Sequence, residues 1–364
     1  MTNNKNFSPD YELPNLIDDT VQSLRFFPSQ DINYLASGGW DSKLRLFEIN
    51  YSIQGNSGIN DIAKFTSNQI TICQHKSPIL SLSWKGNSGA IFTGCSDGSV
   101  NYVDFQKNIL TKIGEHQYGC REVIHLFNNN LLVSGGWDGI LKLWDIRANE
   151  GSITSYQFFN KINTMSYSKN LLVIGLSENI ISYFNLGKLQ MTNFQPELIY
   201  NSHIKSQIKK VAALKGGDGY IEGNSEGKVA VKYIDCFNPQ FDKDSMEIKT
   251  DKDYSFKCRR EIKNNIAHAF NINDISVNPT YGSICIAEGD GRYSIFDIEQ
   301  RQRLYEKKDI VDKTPLTACE YNLKGDILAY SQGYDWSKGA KFAHLYSRPR
   351  IFVHYLQKSH RKKN

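Results

Sequence analysis

The chain has 364 residues, 40% of them hydrophobic, and 43 basic against 38 acidic side chains leave a formal charge of +5. That length and apolar content allow a large buried core, while so small a basic excess permits contact with nucleic acid or acidic peptides without demanding either. Seven cysteines (Cys73, Cys95, Cys120, Cys236, Cys258, Cys285, Cys319) are scattered without a C-x-x-C pair, which argues against a disulfide framework or a zinc site and fits a reducing nuclear or cytosolic compartment.

Taken in order, the opening residues MTNNKNFSPDYELPN hold no apolar leader core, and no later run approaches the roughly 18 apolar residues of a membrane span. No membrane insertion is expected. From residue 35 onward one design recurs: an apolar run, a Gly-rich turn with an acid at its tip, and a second apolar run. It appears at 35–49 (LASGGWDSKLRLFEI), 91–105, 131–146 (LLVSGGWDGILKLWDI), 171–186, 219–234, 283–298 and, more loosely, 327–346 (ILAYSQGYDWSKGAKFAHLY). Such runs, bounded by turn residues, read as β-hairpins.

The tip acids are Asp41, Asp97, Asp138, Glu178, Glu226, Asp290 and Asp335, spaced by 40 to 64 residues. Four-stranded propeller blades repeat every 40 to 45 residues or so, and longer gaps mark insertions. Each hairpin follows a further strand, such as TVQSLRFFP (20–28), ILSLSWKG (79–86) and LTACEYN (316–322). These alternate apolar and polar residues as a strand packed between sheets does. Seven units that cannot bury both faces alone must stack in a ring, so the predicted fold is an all-β seven-bladed propeller spanning residues 1–356. DYEL (10–13) is the candidate closing strand, with IFVHYL (351–356) competing. Insertions fall at 50–68, 187–206 and 237–256, the first two read as solvated loops. The basic end, 357–364, reads as a solvated tail, with weak nucleic-acid attraction as its alternative.

The tip acids Asp41, Asp97, Asp138 and Asp290 are assigned to the turns, where they accept hydrogen bonds from backbone amides. The residue before the acid is small in four units (Ser96, Ser177, Ser225, Gly289), tryptophan in two, Trp40 and Trp137, and Tyr334 in the loose last unit. Tryptophans on Gly-rich turns have little core to enter, so this pair is a candidate apolar platform for a partner; the alternative is that each folds over its own blade. Trp144, alternating with Leu141 and Leu143, reads as blade packing. Lys257, Arg259 and Arg260, following Tyr254 and Phe256, form either a solvated charged loop or a clamp for carboxylates or phosphates. No G-x-S-x-G, Walker loop, H-E-x-x-H or dinucleotide fingerprint occurs and the eight histidines are dispersed, so no enzyme, cofactor, metal or small-molecule substrate is expected.

The two SGGWD hairpins, NSEGKVAVKYIDCFNP (224–239), FKCRR (256–260), EGDGRYSIFDI (288–298) and above all SQGYDWSKG (331–339) resemble the nuclear-pore WD-repeat family of messenger-RNA export factors, over about residues 10 to 353. The sister family, the mitotic-checkpoint WD-repeat protein of kinetochores, shares the Trp-Asp hairpins and the F-K-C segment, whereas DWSKG (335–339) looks like the export family. The resemblance implies an adaptor that binds an acidic, hairpin-forming motif of a nucleoporin on one face of the ring. Trp40 and Trp137 match the family's aromatic contacts, and Arg260 with Lys257 matches its basic ones. It further implies a nuclear-envelope location with a cytoplasmic pool, and contact with single-stranded RNA. Arg259 stands where that family usually has His. The checkpoint role, recruiting kinases through a similar motif, is the alternative.

Overall fold

The computed structural model describes residues 10–14, 17–54, 62–127, 130–147, 151–188, 193–202, 204–234, 252–307 and 313–361. Seven four-stranded antiparallel sheets form the blades of a propeller. The first blade runs outward from Val21–Phe26 through Tyr34–Gly39 and Lys43–Gln54 to Ile62–Gln74. The innermost strands of the other six are Ile79–Trp84, Cys120–Leu126, Ile162–Ser168, Ile208–Ala213, Ile272–Val277 and Leu316–Tyr321. Seven hydrophobic clusters lie among the described residues, and each sits between two neighbouring blades. Leu35 packs toward the last blade and the next residue, Ala36, toward the second. Because successive side chains point to opposite faces and both faces are covered, the second strands read as continuous apolar runs rather than alternations.

The ring closes through the short strand Tyr11–Glu12, which pairs with Arg350–Tyr355 as the outermost strand of the seventh blade. IFVHYL is therefore the partner of DYEL and not its competitor. It is also the third strand of that blade. The hairpin expected at 327–346 differs accordingly: Ile327–Gln332 is a strand, but Ala340–Leu345 is a 3-10 helix, and the return strand begins at Arg350. Gly339, at φ 80°, turns the chain into that helix, so the two strands are joined by a long crossover and no tight turn.

The insertions are shorter than expected because each contains part of an outermost strand. Residues 50–54 and 62–68 continue the outer hairpin of the first blade, Leu198–Asn201 is the fourth strand of the fourth blade, and Tyr254–Lys257 is that of the fifth. Residues 55–61, 189–192, 203 and 235–251, with Cys236, lie outside the described residues. The extended hairpin also braces the seam. Tyr51 and Phe65 pack with Tyr11 and Tyr355, and the Tyr51 hydroxyl donates to Asp326 at 2.6 Å. The basic end is not a free tail through residue 361. His360 is buried and packs on Tyr305 at 4.1 Å, and the Arg361 guanidinium lies over Tyr355 and donates to the Leu356 carbonyl. Residues 362–364 lie outside the described residues.

Two charged networks tie the ring together. At the seam, Asp10 accepts from His354 Nδ1 at 2.7 Å, Lys307 Nζ at 2.6 Å and the Tyr330 hydroxyl. In the central channel, Lys210 of the fifth blade pairs with Asp274 of the sixth at 3.2 Å and reaches Glu122 of the third at 3.5 Å, while Arg25 of the first pairs with Glu320 of the seventh at 3.2 Å. Burial acts to lower the Lys210 pKa, but the carboxylates of Asp274 and Glu122 outweigh it and raise it above the ordinary value. Arg25, Lys210 and Glu320 line a cavity of ≈ 250 Å³ along the axis.

Two stability tests follow from these contacts. Burial acts to raise the Asp10 carboxyl, yet His354 and Lys307 hold it well below the usual carboxylate range. A carboxyl whose pKa folding depresses contributes stability above its unfolded value, near about 3.9, and loses it as pH falls toward the folded value. Asp10→Asn should therefore destabilise the chain by about 2–4 kcal/mol at pH 7, with the gap to wild type narrowing below about pH 4. Urea melts at both pH values check this, and a gap that stays constant refutes it. Lys210→Met leaves the buried Glu122 and Asp274 without their shared cation and should cost about 3–5 kcal/mol; a loss below about 1 kcal/mol would mean that solvent in the channel already screens the pair.

Candidate partner-binding rim

Each blade's chain runs in, out, in and out again, so the turns between second and third strands share one rim of the ring with the connections from one blade to the next. A repeated hydrogen bond marks that rim. The backbone N–H groups of Trp40, Ser96, Trp137, Ser177, Ser225, Gly289 and Gly333 donate at 2.9–3.0 Å to carbonyls just ahead of the innermost strands: those of Thr20, Pro78, Gly119, Lys161, Gln207, Asn271 and Pro315. This register places Gly333, not Tyr334, level with Trp40 and Trp137. Tyr334 is buried and stacks on Tyr346, so it takes no part in the exposed rim.

The acids at the tips hold these turns. Asp97 accepts from the backbone N–H and hydroxyl of Ser99, Asp290 from the Arg292 amide at 3.2 Å, and Asp41 from the Lys43 amide, with its second oxygen 2.6 Å from the buried Arg45 guanidinium. Asp138 does most. It accepts from the amides of Ile140 and Gln117 and from His116 Nδ1 at 3.1 Å; His116 Nε2 meets Ser134 Oγ at 2.7 Å, and Trp144 Nε1 donates to that same oxygen at 2.8 Å. Burial pushes the Asp138 carboxyl up, but His116 and the two amides bring it below its ordinary value. Trp144, read as apolar packing, is thus also the end of a buried hydrogen-bonded chain. The signal for it was His116, 22 residues before Asp138 and beyond any local motif.

Trp40 is 38% exposed, with its Nε1–H donating to the Gln22 side chain at 3.3 Å. Trp137 is half-buried and lies flat over Gly119; a Cβ there would stand only 2.5 Å from the ring. Glycine at 119 is what lets that indole rest on the backbone. The two tryptophans occupy the same rim in the first and third blades. Lys257 and Arg259 are exposed and Arg260 is half-buried, all at the connection from the fifth blade to the sixth. That connection is not a plain loop: Arg260–Lys263 and Ile266–Ala269 form a separate two-stranded hairpin. The basic trio thus shares the rim with the tryptophans but stands apart from them around the ring.

Other exposed side chains on this rim were not singled out from the sequence. Tyr118 and Phe159 project from the connections flanking the third blade, Ile262 and Ile266 from the small hairpin, and Trp336, Phe342 and Leu345 from the crossover of the last blade. Each is a lone apolar residue inside a polar connection, a signal too common to mark a site. Trp336 also holds a left-handed backbone at φ 59°, a conformation costly for a tryptophan and one that clusters at functional positions.

The family model "WD domain, G-beta repeat" matches residues 15–48, 66–104 and 107–145, the first three blades. The chain is a seven-bladed β-propeller whose first three blades match that repeat. Similarity extends far beyond those repeats. The "Poly(A)+ RNA export protein" of Schizosaccharomyces pombe is 28% identical over 351 residues, covering 95% of this chain and 90% of the relative. The "mRNA export factor rae-1" of Caenorhabditis elegans is 29% identical over 347 residues, covering 91% and 84%. The "Mitotic checkpoint protein bub3" of Dictyostelium discoideum is 28% identical over 355 residues, covering 97% and 96%. The resemblance to these three relatives thus runs along nearly the whole chain.

The rim and the core separate by mutation. Trp144→Ala removes a buried ring together with its hydrogen bond and should cost about 3–5 kcal/mol. Trp40→Ala, half in solvent, should cost less than about 1 kcal/mol. Parallel denaturation curves test the contrast, and equal losses would make Trp40 part of the packing.

Proposed function

We propose that this WD-repeat propeller is a non-enzymatic adaptor in the export of messenger RNA, acting at the nuclear pore by holding an acidic, hairpin-forming peptide of a nucleoporin across the rim. The observation that carries the reading is the placement of Trp40 and Trp137, supplied by turns whose other copies use serine or glycine, on the same rim as Lys257, Arg259 and Arg260. Relatives named for poly(A)+ RNA and mRNA export support the process. An exposed aromatic anchor and arginine forks are the groups that most often dominate a protein interface, the aromatics by desolvated area and the arginines by paired hydrogen bonds to carboxylates.

Two further readings have observations behind them. The relative named as a mitotic checkpoint protein favours a checkpoint adaptor using the same rim. Signal at the nuclear rim through interphase supports export, and signal confined to kinetochores in mitosis supports the checkpoint. Single-stranded RNA as a direct ligand is favoured by the crossover of the last blade, where exposed Trp336 and Phe342 stand among Lys338, Lys341 and Arg348. Bases stack on such rings while cations track the phosphates. RNA bound there would dissociate steeply with salt and be indifferent to loss of Trp40 and Trp137.

The adaptor reading is tested by pulldown from nuclear extract with wild type and a Trp40→Ala, Trp137→Ala double variant. Truncating each anchor should cost on the order of 2 kcal/mol, enough to lose a nucleoporin that wild type retains. Equal recovery by both proteins sinks the tryptophan platform.

A further inference from the structure

At the rim of the sixth blade three guanidinium groups gather around one carboxylate. Arg303 Nη1 lies 3.2 Å from Glu306 Oε2, while Arg259 Nη1 and Arg292 Nη1 lie 3.7 and 3.8 Å from Glu306 Oε1. They come from separate elements: Arg259 from the connection after Tyr254–Lys257, Arg292 from just past the Asp290 turn, and Arg303 with Glu306 from the outermost strand Gln302–Glu306. The Glu306 side chain is 9% exposed, whereas those of Arg259 and Arg303 are each 48% exposed.

One carboxylate needs one arginine fork to satisfy it. Here three are present, and two stand beyond hydrogen-bonding distance, oriented toward Glu306 but not consumed by it. Donors are also left over. Among the described residues, the buried Nε–H groups of Arg292 and of neighbouring Arg260 have no hydrogen-bond acceptor, although Arg292 Nε stands 3.4 Å from an Asp290 oxygen. The other acids nearby do not cancel the excess. Burial pushes the Glu288 carboxyl up to about 8 and the Asp290 carboxyl up to about 6. At neutral pH Glu288 is therefore mostly uncharged, and among the described residues the charges that Arg259, Arg292 and Arg303 meet at this rim are those of Asp290 and Glu306.

We propose that Glu306 is the internal occupant of a cationic clamp: it holds Arg259, Arg292 and Arg303 in the array that carboxylates of an acidic peptide take over, and it competes with them. The clamp so defined shares Arg259 with the basic trio read from the sequence and brings in Arg292 and Arg303. The inference rests on the acidic-peptide reading of this rim and gives it a brake, since a peptide must outbid a carboxylate already in place. An incoming carboxylate reaches the exposed forks of Arg259 and Arg303 from solvent, leaving Glu306 on the more buried Arg292.

The test uses the full chain and a fluorescein-labelled hexaglutamate peptide, with binding followed by anisotropy. Glu306→Gln removes the competing charge at unchanged size and should tighten binding roughly fivefold, which is about 1 kcal/mol. Arg303→Ala should weaken binding as much as Arg259→Ala does. If both arginine variants weaken binding but Glu306→Gln leaves it unchanged or weaker, the clamp stands and the internal-occupant proposal is overturned. If neither arginine variant alters binding, or wild type fails to bind, the acidic-peptide reading of this rim is itself wrong and the proposal falls with it. Should Glu306→Gln melt well below wild type, Glu306→Asp substitutes, withdrawing the carboxylate from Arg259 by one methylene. It should tighten binding in the same direction by a smaller factor, and no tightening overturns the proposal.

Discussion

Among the described residues, no blade of this ring has a core of its own. Every large apolar cluster lies between two blades, so each sheet is stable only while both neighbours are present, and the first and last blades satisfy that condition only if the ring closes. Closure is local. A two-residue strand contributes few hydrogen bonds, and the seam gains what the strand lacks from Asp10, whose carboxylate is shared by His354, Lys307 and Tyr330, and from the aromatic brace of Tyr11, Phe65, Tyr51 and Tyr355. Hydrogen bonds to a charged group are worth about 1.5–3 kcal/mol each, so a few of them suffice to tilt the balance toward the closed ring. The channel charges act at longer range. Lys210 joins the fifth blade to the third, which it does not adjoin, and so couples parts of the ring that share no apolar cluster.

How much of this was legible in the sequence follows from which constraints are local. The turn acids were visible because the same chemistry recurs whenever two strands meet at a tight turn, and the inner strands because burial on both faces leaves an unbroken apolar run such as Leu171–Leu176. The outermost strands were hidden. Tyr254–Lys257 and Leu198–Asn201 have one face in solvent and border insertions, so their alternation merged with the polar sequence around them. The last blade misled for another reason: an acid at position 335 looked like the tip acid of a hairpin, yet the rim hydrogen bond falls at Gly333 and the chain makes a long crossover before returning at Arg350.

The site was partly legible for the same reason. Trp40 and Trp137 stood out because the repeat itself offered six comparisons at one position. Arg292 and Arg303 did not, since an arginine beside a turn or on an outer strand is ordinary, and only the folded chain brings both to Glu306. The chain from His116 through Asp138 and Ser134 to Trp144 was likewise a product of folding, joining residues that lie up to 28 positions apart.

That chain bears on function indirectly. It fixes the Asp138 turn, and the turn fixes the backbone that carries Trp137 over Gly119; in the first blade the buried pair of Asp41 and Arg45 does the same for Trp40. The rim side chain itself takes no part in either arrangement. Tryptophan, serine, leucine-flanked serine and glycine all follow the same N–H to carbonyl bond, so the fold leaves this position free while holding its backbone still. A position with that combination costs little to vary and presents whatever it carries with small entropic loss on binding. On the proposed function, recognition is concentrated where the ring is indifferent to sequence, so that one exposed and one half-buried indole and a cluster of arginines serve a partner and not the propeller.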